Sequence, residues 1–254
     1  MGLDLNNWMM VFVRASGFLI VLPIFSTPNV PPQIRIALGA LLATLITPLL
    51  PPWSYAPPSL AAWFVLFARE AIAGLILGFV TRMVFYVTDF AGRIIANEMG
   101  LSVAQLLNPL SGDQMQAPGL ILFYFAAIMM LSLDMHHWLL IGFQQTYDLM
   151  PIGQQHLREA LLTNIVDHTR RIFVVGVQMA APLMATSFII MIIFAFLGRA
   201  VPQMSAFSES FGIRILAGLA VFGLTMEIMA QHILNYLHRL PEDMMRVAQY
   251  LGAS

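Results

Sequence analysis

The chain has 254 residues, 59% of them hydrophobic and 10% charged. Soluble domains carry about 25% charged residues, so most of this surface does not face water. A net charge of −1 argues against a nucleic-acid partner, which needs clustered positive charge, and the absence of cysteine removes disulfides, thiolate metal sites and thiol nucleophiles.

The N-terminal MGLDLNNWMM has no basic region ahead of its apolar stretch, so no cleaved leader is expected. A helix needs roughly 20 apolar residues to cross a bilayer. Trp8–Phe25, Ile34–Leu50, Leu60–Val87, Gly119–Phe143, Ile172–Leu197 and Gly212–Leu237 approach or exceed that length. The connectors STPNVPPQ, TPLLPPWSYAPPS, NPLSGDQMQAPG and MPIGQQ are rich in Pro, Gly and Ser, which break helices. The expected fold is all-α and membrane-associated: about six long apolar helices arranged as hairpins, plus shorter amphipathic helices, in one domain over residues 1–254.

Two connectors read as helices themselves. Asp89–Leu107 sets Gly92, Ala96 and Gly100 at four-residue spacing, a smooth stripe for close helix packing, with Asp89 four residues before Arg93. His156–Arg171 has Leu157, Leu161 and Ile165 on one side and Arg158, Asp167 and Arg171 away from it, an amphipathic surface pattern. GLILG, Gly74 to Gly78, matches the small-residue packing motif, a weak signal in any Gly-rich apolar helix.

Met129 to Phe143, MMLSLDMHHWLLIGF, puts an Asp and two His residues inside an apolar run. In a regular helix Asp134 and His137 share a face while His136 points elsewhere, and a metal needs at least three converging ligands. These residues therefore read as a polar turn between the arms Leu120–Leu133 and Trp138–Phe143, with no metal. Among motifs, there is no His-Glu-x-x-His, no nucleophile elbow and no phosphate-cradling glycine loop, so no catalytic residue and no cofactor are expected.

Arg14, Arg69, Glu70, Arg82, Asp134 and Glu227 fall within apolar runs and have no obvious partner in the chain, although a charge at mid-bilayer costs several kcal/mol unless paired or hydrated. The connector arginines divide almost evenly between the two sides, so the positive-inside rule returns no orientation. One explanation is a stand-alone transporter or channel with Arg69, Glu70, Asp134 and Glu227 as its ion path. The other is a subunit whose apparent spans pack against other proteins.

PIFSTPNVPPQIRIALG, AREAIAGLILGFV, AGRIIANEMGLSVAQLLNP, HHWLLIGF followed by LMPIG, AAPLMA and LGRAVPQM, in this order and spacing, resemble the FliR family of flagellar biosynthetic proteins and its virulence-system counterparts. The resemblance covers nearly the whole chain. It implies a non-enzymatic subunit of the type III export gate in the bacterial inner membrane, in the flagellar basal body or a virulence injectisome. The implied partners are FliP-like and FliQ-like subunits in a helical hetero-oligomer, FlhB-like and FlhA-like export components, and unfolded substrates. The chain departs from the family at Ser205–Gly212, where Ser205 stands for the usual Asn and Gly212 for a usual Pro in a turn.

Asn108 precedes a proline and must end its helix, Ser111, Gly112 and Asp113 make a polar tip, and Pro118 precedes the next apolar helix. In FliR-like proteins the matching loop resembles a plug in the channel. The resemblance thus assigns that role to Asn108, Pro109, Ser111, Gly112, Asp113, Gln114, Met115 and Pro118.

Overall fold

A computed structural model describes residues 4–23, 25–26, 30–52, 57–101, 117–155, 159–200 and 206–252, and the side chains from residue 210 onward in the last of these segments. Among the described residues the chain is helical, with no strand: α1 (Leu5–Val21), α2 (Pro32–Ile46), a 3-10 turn (Thr47–Leu49), α3 (Leu60–Glu98), α4 (Ala117–Ser132), α5 (Met135–Leu149), α6 (Glu159–Ala200) and α7 (Ala206–Leu251). Between their terminal turns, helices pair every backbone group within their own segment, which is what an apolar surrounding demands.

The ends follow from local chemistry. The Asp4 side chain accepts from the Asn6 backbone N–H at 3.1 Å and caps α1. Leu22 precedes Pro23 and is driven to an extended conformation (ψ 121°), so α1 stops at 17 residues. Pro32 opens α2, where its missing N–H costs nothing.

Four helical segments are long and apolar enough to cross a membrane, or five if α4 and α5, bent by 72°, form one span. The sequence suggested about six; α1 falls short because Pro23 closes it early. The described parts of both connector helices belong to longer ones, while residues 102–107 and 156–158 lie outside the described residues. The stripe from Asp89 continues α3 as far as Glu98, and the amphipathic stretch forms the first part of α6. No turn interrupts Ser210–Gly212, which lies inside α7. With Gly212 in place of proline, the backbone keeps the N–H that lets a helix continue.

The chain forms two compact units: Met1–Met83 with Leu133–His168 and His238–Ser254, and Val84–Ser132 with Thr169–Leu237. In the first unit α1 and the early part of α3 meet backbone to backbone. A Cβ on Gly17 would lie 2.8 Å from the Ala71 carbonyl oxygen, one on Gly78 would lie 2.8 Å from that of Phe18, and one on Gly74 would overlap that of Arg14. Gly74 and Gly78 are the glycines of GLILG. Phe18 stacks on Phe143 of α5 at 4.8 Å, and Trp8 Nε1 donates to Thr44 Oγ1 of α2 at 3.0 Å.

In the second unit Gly92 of α3 lies against the Gly119 backbone of α4 with no room for a Cβ. Phe85 and Phe123 pack 5.1 Å apart, and Phe90 meets Phe173 of α6 edge-on at 5.0 Å.

Candidate functional site

The most constrained chemistry lies in the first unit, where α1, α3 and the segment after α5 converge on two charges. Arg14 and Glu70 are both 0% exposed, and Arg14 Nε donates to Glu70 Oε2 at 2.6 Å. The other carboxylate oxygen, Oε1, accepts from the Gly153 backbone N–H at 2.9 Å and from Gln155 Nε2 at 2.5 Å. Arg14 Nη1 donates to the Met150 carbonyl at 3.1 Å, and its guanidinium sits 4.1 Å above the Tyr147 ring. Gly153 has φ +79°, a left-handed conformation that glycine adopts without penalty. Its N–H is thereby aimed at the carboxylate.

Charges this deep are tolerated only when paired and hydrogen-bonded. Here the pair is both. The carboxylate accepts from three donors, with both oxygens engaged and a buried guanidinium against it, so Glu70 reads as a structural anchor. This corrects the expectation of buried charges without partners. Of the four residues in the alternative ion path, Arg69, Asp134 and Glu227 are exposed, and Glu70 alone is buried. Arg82 is half-buried and donates to Ser26 Oγ at 3.2 Å. Tyr147 also lines a cavity of about 350 Å³ with Asn7, Pro51, Pro151 and Gln154.

In the second unit the packing stripe has three different surroundings. Gly92 abuts Gly119, Ala96 is fully buried, and Gly100 lies past the end of α3 at φ +79°, where a Cβ would come 2.6 Å from the Phe211 ring. Glu98 accepts a hydrogen bond from Ser187 Oγ of α6. Asp89 and Arg93 pair on the surface at 3.1 Å.

Of the loop residues assigned to a plug, Asn108, Pro109, Ser111, Gly112, Asp113, Gln114 and Met115 lie outside the described residues. Pro118 is in the first turn of α4 and is buried there.

The polar break expected around Asp134 is present. α4 ends at Ser132, Asp134 takes a left-handed conformation (φ 54°, ψ 22°), and α5 begins at Met135. The relation among its polar side chains differs from the expectation. His137 Nδ1 lies 3.3 Å from Asp134 Oδ1, and the His136 ring sits 4.0 Å from the His137 ring. His136 does not point elsewhere, because regular helix phase begins only after Asp134.

The sequence pattern of the bacterial export proteins, family 1, matches residues 5–240. The flagellar biosynthetic protein FliR of Bacillus subtilis (strain 168) is 27% identical over 253 residues, covering 97% of this chain and 96% of its own. That of Pectobacterium carotovorum subsp. carotovorum is 26% identical, with 96% and 97% covered, and that of Escherichia coli (strain K12) is 26% identical, with 94% and 92% covered.

Proposed function

The chain belongs to the bacterial export proteins, family 1, and on that premise we propose that it is a non-enzymatic subunit of a flagellar type III export gate in the bacterial inner membrane. Residues 1–254 act as one domain, assembled with FliP-like and FliQ-like subunits around the channel for unfolded substrates. FlhB-like and FlhA-like components complete the export apparatus. The loop from Asn108 to Met115 closes the channel at rest and yields to a passing chain.

The observation that carries this reading is the likeness to FliR proteins over nearly the full length of both partners. Two features of the molecule support it. Large apolar side chains stand open on α6 and α7, with Phe196 66% and Leu224 82% exposed, a surface suited to lipid or neighbouring subunits. Glu70, the buried acid of the alternative ion path, has both carboxylate oxygens hydrogen-bonded within its own unit.

The test is co-expression with FliP-like and FliQ-like subunits, with a tag on one of them, followed by purification in detergent. The expected result is a stable hetero-oligomer containing this chain, and restored motility in a strain lacking its FliR. A chain that is stable and monodisperse alone and ignores both subunits would sink the reading in favour of a stand-alone transporter.

A further inference from the structure

We infer that Asp134, His136 and His137 form a three-ligand site for a divalent transition-metal ion of the zinc class at the bend between α4 and α5. One potential ligand atom from each of the three residues lies within 4.8 Å of the other two. Two imidazoles and one carboxylate are a donor set that zinc accepts, with water or a further ligand in the fourth position. Bonds of about 2.0–2.1 Å in a tetrahedral site put the donors about 3.3–3.4 Å apart. The three atoms therefore draw together when the ion binds. The Asp134 and His137 side chains are 71% and 63% exposed and can rotate toward it.

His136 supplies a second observation. Its Nδ1 is buried and carries no hydrogen bond, although a buried ring nitrogen normally has a partner. In the tautomer protonated at Nε2, that nitrogen offers its lone pair to a metal. At the bend, Asp134 Oδ1 lies 3.3 Å from His137 Nδ1 and the His136 ring lies 4.0 Å from the His137 ring, so the three side chains converge on one place.

The start of α5 carries the positive end of a helix dipole, which disfavours a bare cation. The ion therefore depends on the Asp134 charge as well as on the two rings. That makes asparagine at this position the sharpest probe. Asn tolerates the left-handed conformation nearly as well as Asp, so Asp134→Asn keeps the turn while removing the charge.

The site does not rest on the export reading and is tested separately from it. The full chain, purified in detergent through a tag without histidine and stripped with a chelator, is titrated with Zn²⁺. Bound metal is counted by mass spectrometry, and Co²⁺ reports coordination through its visible bands. The expected result is one Zn²⁺ per chain and Co²⁺ bands of a four-coordinate site. Asp134→Asn, His136→Gln and His137→Gln should each weaken binding at least ~10-fold, and His232→Gln should leave it unchanged. Melting temperatures in chelator confirm that each variant is folded. No stoichiometric uptake, or uptake that survives Asp134→Asn and the double histidine variant at full strength, would overturn the assignment.

Discussion

Removing Glu70 strands several groups at once. In Glu70→Ala the Arg14 guanidinium keeps its charge at 0% exposure and loses its counter-ion, while the Gly153 N–H and Gln155 Nε2 lose their acceptor. Breaking one side of a buried ion pair costs about 3–5 kcal/mol, and an unsatisfied buried amide about 1–3 kcal/mol. These overlap and do not add, so the expected loss lies near the top of the first range. Removing both charges is different. In Arg14→Met/Glu70→Met the stranded cation is gone, and a well-packed apolar pair is often neutral or better. The Gly153 and Gln155 amides and the Met150 carbonyl still lack their partners. The double variant should therefore cost about 1–3 kcal/mol, well short of the sum of the singles, a coupling of at least ~2 kcal/mol between the two sites. Reversible unfolding in mixed detergent micelles measures Glu70→Ala, the singles Arg14→Met and Glu70→Met, and the double variant against the parent. Single variants that cost under about 1 kcal/mol, or a double variant as damaged as the sum of the singles, would refute the anchor reasoning.

The glycine contacts make a graded set. Gly74→Ala and Gly92→Ala should each destabilise by about 1–3 kcal/mol because backbone lies where the methyl must go; Gly223→Ala, which meets open space, should be neutral or gain up to about 1 kcal/mol by helix propensity, and melting temperatures separate the two classes. In chelator, Asp134→Gly should stabilise the bend, since a left-handed L-residue costs roughly 1–2 kcal/mol, and Asp134→Leu should weaken it by a similar amount. Deleting Ser111 to Gln116 should leave assembly with FliP-like and FliQ-like subunits intact but admit small solutes through the membrane, read as dye or ion leak; an assembled gate as tight as the parent would reduce the loop to a connector. Arg93→Ala should change stability by less than about 0.5 kcal/mol, because its pair with Asp89 is exposed and within one helix turn.

Long apolar runs and their proline borders made the helices legible, and a polar tetrapeptide in an apolar run marked the break at Asp134. The break's internal geometry was not legible, because helical phase was counted through a residue that is not helical. Only φ at Asp134 resets that count. The anchor was half legible: Arg14 and Glu70 stood out as opposite charges in apolar runs. Their pairing did not, since 56 residues separate them and one of the carboxylate's donors is a backbone amide, which leaves no mark in a side-chain pattern. GLILG looked ordinary because the third participant, Gly17, lies on another helix and completes the contact only in three dimensions.

The anchor also sets an order on biogenesis. Its contacts span sequence separations of 56, 83, 85 and 136 residues, so the first helix carries a cation whose partners are all made later. At about 5–20 residues per second, Arg14 waits roughly 10 s between its own synthesis and that of Met150. Until then α1 has no low-energy way to sit in hydrocarbon with its arginine, and it must keep that side chain in contact with water or headgroups. Even after Glu70 emerges, one carboxylate oxygen has no donor until Gly153 and Gln155 follow. α1 is thus made before every partner of its arginine and is among the last parts of its unit to be fully settled.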